Sequence, residues 1–177
     1  MCPVSADTRA STTVDTVPWL SSAQQRDWRA LVALFMTLPP ALDAQLKRDA
    51  GLNSFEYHVL AALSEAPNRT MVLSSLAGLA QGSLSRLSHA ITRLERAGWV
   101  QRRSCADPGA RRTEARLTDA GLAKLEETAP GHVREARRLV VDVLTPEQLA
   151  ALGDAARAIT SATLADAPEM CRKAGEC

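Results

Sequence analysis

Residues 73–117 read LSSLAGLAQGSLSRLSHAITRLERAGWVQRRSCADPGARRTEARL, and their change of period decides the fold. Leu73, Leu76 and Leu79 recur every third residue, which predicts a brief helix packed by those leucines, followed by a turn at Gln81-Gly82. Next, Leu84, Leu87, Ile91 and Leu94 draw one apolar stripe at three- and four-residue steps, the signature of an amphipathic helix that Gly98 then stops. Beyond Gly98 the helical period ends. Trp99–Arg103 and Arg112–Leu117 read as two strands, with SCADPGA as a proline- and glycine-containing turn between them. Two helices joined by a tight turn and followed by a hairpin make a winged helix-turn-helix.

The chain on either side is helical in pattern. Trp28, Leu31, Phe35, Leu38, Leu42 and Leu46 mark a stripe from Ser22 onward, with Pro39-Pro40 expected to kink or split the helix. Another helix fits Ser54–Glu65, buried through Phe55, Val59, Leu60 and Leu63, capped by Asn53 or Ser54 and ended by Pro67-Asn68. A short extended piece at Thr70–Val72 follows. Thr118 caps a long helix through Leu122, Leu125, Val133, Val140 and Leu144, expected to bend at Pro130-Gly131. A last helix begins at Thr145-Pro146-Glu147 with proline in its first turn. The fold class is therefore mainly α with a small β wing. Residues 1–21 and 165–177 are polar tails expected to lack order, 22–48 and 118–164 are expected dimerisation helices, and 49–117 form the winged segment.

The chain has 177 residues, 46% of them hydrophobic, which suits one compact domain with a real core. Its net charge is +1, but residues 83–116 hold eight arginines against Glu95, Asp107 and Glu114, so that stretch is +5 and the remainder −4. A basic segment on a near-neutral chain predicts a surface that faces a polyanion. In the second helix of the pair, Ser83, Ser85, Arg86, His89 and Arg93 fall off the apolar stripe. Serine can bond phosphates or bases, and arginine can bond a guanine edge in bidentate fashion. The wing adds Arg102, Arg103, Arg111 and Arg112. Double-stranded DNA is the expected partner. A solvated charged face is the usual explanation for one arginine, but here turn, serines, hairpin and charge coincide.

Catalysis finds no support: there is no Gly-rich phosphate loop, nucleophile elbow or HExxH. Cys2, Cys105, Cys171 and Cys177 lack metal-ligand spacing, so neither a metal nor another cofactor is expected. The absence of a long apolar run predicts no membrane span, and a first stretch without a secretion-signal core predicts a cytoplasmic protein. Cys105 lies in the wing, where a tolerated exposed thiol is the common explanation and a redox sensor the sharper one.

The strings FEYHVLAALSEAP, LSSLAGLAQGSLSRLSHAITRLERAGWVQRR and ARLTDAG, within about Trp28–Ile159, resemble the multiple-antibiotic-resistance regulator (MarR) family. The resemblance implies six helices and a wing, a dimer built by the N- and C-terminal helices, and repression relieved by a small, often aromatic ligand. In that family the wing carries Asp-x-Arg, its arginine entering the minor groove. Here Pro108-Gly109-Ala110 separate Asp107 from Arg111. The resemblance passes the bracing role to Asp107 and the tip role to Arg111 or Arg112, in a wing that is longer or differently turned.

Unmatched stripes on the terminal helices also favour a homodimer over a monomer whose helices fold back. Two copies would read an imperfect palindrome with half-sites about 34–36 Å apart. A ligand cleft is expected between the dimerisation helices and the winged core, with Trp28, Phe35, Phe55, Tyr57, His58 and Met71 as wall candidates. Each is equally readable as core, and His58 and His89 equally as ordinary core or surface histidines. The alternative functions are a winged-helix protein-interaction module and a thiol redox-sensing regulator.

Overall fold

A computed structural model describes residues 17–79, 83–107 and 110–165, with the backbone alone described at 104–107 and 110–112. Among these residues the order is α1 (Ser22–Ala50), α2 (Ser54–Glu65), β1 (Thr70–Val72), α3 (Leu73–Leu79), α4 (Leu84–Arg96), β2 (Val100–Asp107), β3 (Ala110–Leu117), α5 (Asp119–Ala136) and α6 (Pro146–Ala165). This is a mainly helical winged helix-turn-helix. The chain divides into two units, one ending at Met36 and the other starting at Thr37. The expected turn at Gln81-Gly82 and most of both tails lie outside the described residues.

The first unit holds the start of α1. Ser21 and Gln24 form a reciprocal capping box, each side chain bonding the other's amide at 3.2 and 2.8 Å. Trp19, Trp28, Phe35 and Met36 are all exposed. The assigned helix runs unbroken through Pro39-Pro40, so the expected split does not occur. Proline's fixed φ is itself helical, and each ring removes only one amide donor.

The second unit carries the core. Asn53 takes the cap of α2, in a capping box with Glu56, and Phe55, Val59, Leu60 and Leu63 bury the predicted face. They meet Leu76 of α3, Leu87, Ile91 and Leu94 of α4, Val100 of β2, Ala115 and Leu117 of β3, and Leu125 of α5. Each buried leucine or isoleucine contributes roughly 1.5–3 kcal/mol. Two expected core leucines are outside: Leu79 is 65% and Leu84 59% exposed. Helix α3 has only seven residues, and Ala77 rather than Leu79 fills its second buried position. Leu84 begins α4, at the exposed end of the stripe.

Gly98 ends α4 as expected, at φ +76°. Its amide bonds Glu95 O at 2.9 Å and the Trp99 amide bonds Leu94 O at 2.9 Å. This is a Schellman motif, which favours glycine at the left-handed position and turns the chain directly into β2.

The sheet order is β1-β3-β2, fully antiparallel. Pairing runs from Val100 opposite Leu117 to Asp107 opposite Ala110. Most of the expected SCADPGA turn is therefore strand, and only positions 108 and 109, outside the described residues, separate β2 from β3. The strands lengthen because ladder hydrogen bonds need only backbone, which Ser104, Cys105 and Ala106 supply as well as Val or Ile. Thr70–Val72 adds a third strand against Glu114–Arg116.

Thr118 caps α5 through Gly121, as expected. No interruption falls at Pro130-Gly131. A π-helical segment follows at Arg137–Val141. Thr145 and Gln148 form another capping box at the start of α6, and that helix is exposed along nearly its whole length.

Gly121 fixes how closely α5 approaches the sheet. A Cβ there would overlap the Trp99 carbonyl oxygen and lie 2.7 Å from Leu117 Cδ1. Because the nearest clash is with backbone, Gly121→Ala should destabilise by about 1–3 kcal/mol. Denaturant unfolding checks this; unchanged stability would mean that α5 can shift away from Trp99 and Leu117 freely.

Candidate nucleic-acid interface

Helix α4 presents three lines of polar side chains, set by its 3.6-residue period. On one flank, the Arg86 guanidinium sits 4.4 Å from the centre of the Phe55 ring. Seven residues later on the same flank, Arg93 Nε lies 3.2 Å from Oε1 of Glu56. Glu56 is buried, and its other oxygen accepts the Asn53 amide at 3.0 Å. Oε1 itself has no hydrogen bond, so the Arg93 contact is an ion pair by proximity.

The opposite flank is held by the wing. Arg102 on β2 pairs with Glu95 Oε2 at 2.9 Å and donates to Ser88 O at 2.7 Å and Thr92 Oγ1 at 3.0 Å. Its backbone amide also bonds Glu95 Oε1 at 2.9 Å. Between the flanks, Ser85, His89 and Arg96 are exposed and fall on one line, at steps of four and seven residues.

The expected contact residues therefore divide. Ser83 is exposed but commits its Oγ to the Arg86 amide as the N-cap, at 3.2 Å. Ser85 and His89 face outward, Arg103 on β2 is exposed, and Arg86 and Arg93 are exposed with heads leaning toward α2. Asp107, Arg111 and Arg112 have described backbone only: Arg111 stands opposite Ala106, Arg112 opposite Cys105, and Asp107 opposite Ala110. Their side chains, and that of Cys105, lie outside the description. Sequence reading passes over Arg96 and counts Glu95 only as charge. The signal it offers is that Glu95 is the one acid within the arginine-rich helix.

A cavity of about 920 Å³ opens between α2, β1, α3 and β3. His58 and Met71 line it with Ala61, Glu65, Leu79 and Glu114, so two of the six expected wall residues meet there. Phe55 is core. Tyr57 instead packs against His132 of α5, ring centres 4.6 Å apart and planes tilted by 54°. His132 Nδ1 is 3.2 Å from Gln45 Oε1, while Gln45 Nε2 donates to Asp49 at 3.0 Å. Because a carboxylate only accepts, the Gln45 oxygen must face His132, and the ring carries its proton on Nδ1. Trp28 and Phe35 belong to the first unit and are exposed.

Among solved structures, the chain is similar to Sco3205 of Streptomyces coelicolor, a MarR family transcriptional regulator crystallised in complex with DNA. The two are 42% identical with a TM-score of 0.79, over 84% of this chain and 92% of that one. The chain belongs to the MarR family of transcriptional regulators. AbsC, another MarR family regulator of the same organism, is 36% identical with a TM-score of 0.78, over 84% of this chain and 99% of its own. The PcaV regulator of S. coelicolor, solved with its natural ligand, shares the fold at 21% identity and a TM-score of 0.66, over 82% and 98%. No protein-family model and no curated protein matches the sequence.

In this MarR family chain, burial lowers the His132 pKa from 6.5, with His58 adding a smaller repulsion. The unfolded chain thus binds a proton below about pH 6.5 that the folded chain resists. Stability from this site is complete above that value and is lost as pH falls toward the lowered folded value. Asp43 and Asp49 are also lowered, from 3.8, so their contributions fade only in stronger acid. The melting temperature should fall between pH 7.5 and 5, and less steeply in His132→Gln. An equally steep fall in that variant would assign the effect to other groups.

Proposed function

We propose that the chain is a cytoplasmic homodimeric transcription regulator whose α4 enters the major groove while the β2-β3 wing reaches the flanking backbone or minor groove. The observation that carries this is the outward line of Ser85, His89 and Arg96, held between two braced flanks on the +5 segment. Sco3205, a 42% identical relative, was solved on DNA. Ser83 at the cap of α4, Ser85, Arg86, His89, Arg93 and Arg96 on α4, and Arg103 on β2 form the proposed contact set. Asp107 is proposed to brace the wing end, with Arg111 or Arg112 reaching the DNA. Arg102 is proposed as a brace, because its head already serves Glu95, Ser88 and Thr92.

Dimerisation is supported by the apolar side chains left uncovered on α1 and toward the C-terminus. Trp28, Phe35 and Met36 are exposed, as are Val133, Val143, Ile159 and Leu164. A second copy would remove this surface from water and set two α4 helices as a two-fold pair. A palindromic operator follows from that symmetry.

Repression released by a small aromatic effector is the regulatory mode we infer, with the 920 Å³ cavity as its site. Its walls include Ser75 and Leu79 of α3 and Glu114 of β3, so an occupant would press on elements adjoining α4 and the wing. Compounds that raise the melting temperature should weaken DNA binding, and Ser75→Phe, which projects a ring from the cavity wall into the space an effector would occupy, should diminish both effects. Compounds that stabilise the variant equally would place the site elsewhere.

The wing is tested by salt titration on an operator selected from a random duplex library. Replacing Arg111 and Arg112 with alanine should weaken binding and reduce the salt slope by about 0.9 for each phosphate no longer neutralised, with the dimer intact by sedimentation. Arg102→Ala should weaken binding without changing the slope. An unaltered affinity in the Arg111/Arg112 variant would remove the wing from the interface and favour a protein-interaction role.

A further inference from the structure

The apolar stripe of α4 is covered at three of its four positions. Leu87 and Ile91 are 0% exposed and Leu94 1%, whereas Leu84 is 59% exposed. Single exposed leucines are common on protein surfaces. This one is distinguished by its place. Ser83 caps α4 immediately before it, so Leu84 is fixed in the first helical turn, the part of a recognition helix that reaches base edges. Among the described side chains of β2, Arg102 reaches that flank of α4 at Ser88 and Thr92, and Leu84, one turn earlier, remains 59% exposed. Of the exposed residues of α4, namely Leu84, Ser85, Arg86, Ser88, His89, Arg93 and Arg96, it alone has an aliphatic side chain.

The edges of base pairs in the major groove are hydrogen-bond donors and acceptors, with one apolar exception, the C5-methyl of thymine. Resting on the proposed reading of α4 as the groove helix, we propose that Leu84 is a specificity-determining residue that packs against a thymine methyl in each operator half-site. Ser85 and His89, the neighbouring outward residues, bond polar edges and cannot supply this contact. The leucine would also leave water on binding, so the same contact adds affinity.

Deoxyuridine, which lacks only that methyl, isolates the contact. Each thymine of a half-site in the selected operator is replaced in turn, symmetrically in both halves, and affinity is measured for the wild-type chain and for Leu84→Ala. Burial of one methyl-sized group corresponds to about a fourfold change per half-site. The wild-type chain should lose roughly that factor in each half at one thymine position. Leu84→Ala should bind the thymine operator more weakly and be indifferent to deoxyuridine at that position, with melting temperature and nonspecific DNA binding retained.

An operator with no thymine shared by its half-sites, a wild-type chain insensitive at every thymine, or a Leu84→Ala variant as sensitive as wild type would each overturn the role of Leu84 while leaving α4 in the groove. Selection that enriches no sequence would overturn the reading of α4 itself, and the role of Leu84 with it.

Discussion

The Arg102 guanidinium holds the wing to α4, and the placement of these two elements relative to one another depends on that bond set. One side chain reaches Glu95, the Ser88 carbonyl and the Thr92 hydroxyl, while its own amide returns to Glu95. Strand and helix are thus joined along nearly two turns. Gly98 sets the angle at which they leave one another, and Arg102 keeps it. An isolated ion pair of this exposure contributes little. A network with several acceptors and a backbone amide has a defined geometry, which matters more here than its energy.

The far side of α4 is held by different chemistry. Arg86 lies over Phe55, and Arg93 beside the buried Glu56, both at the start of α2. The capping box that starts α2 uses the same Glu56, whose second oxygen takes the Asn53 amide. A single carboxylate therefore caps α2 and steadies α4. Between these braced flanks, Ser85, His89 and Arg96 form the outward line of α4, and Leu84 is exposed at its start.

Much of the architecture was legible because period and punctuation agree. The stripe from Leu87 to Leu94, the switch of period after Gly98, the cap at Thr118 and the proline of α6 each have a local cause. What local pattern cannot show is how far a neighbour extends. The stripes placed Leu79 and Leu84 in the core, but both are exposed, at the end of seven-residue α3 and at the start of α4. The same limit hid the length of the wing, since Ser104, Cys105 and Ala106 carry no strong strand propensity and pair through backbone alone. Among the arginines, spacing could group Arg102 with Arg103 but could not tell that one turns to Glu95 while the other is exposed. The link from Tyr57 through His132 to Gln45 joins residues up to 87 positions apart, beyond any local signal.

Two copies of α4 on successive major grooves of one duplex would leave a distinctive mark on the DNA backbone. Hydroxyl-radical footprinting of the selected operator should show two protected patches on one face of the duplex, related by two-fold symmetry and about 34–36 Å apart. A single patch, or uniform weak protection without symmetry, would contradict the paired-helix geometry.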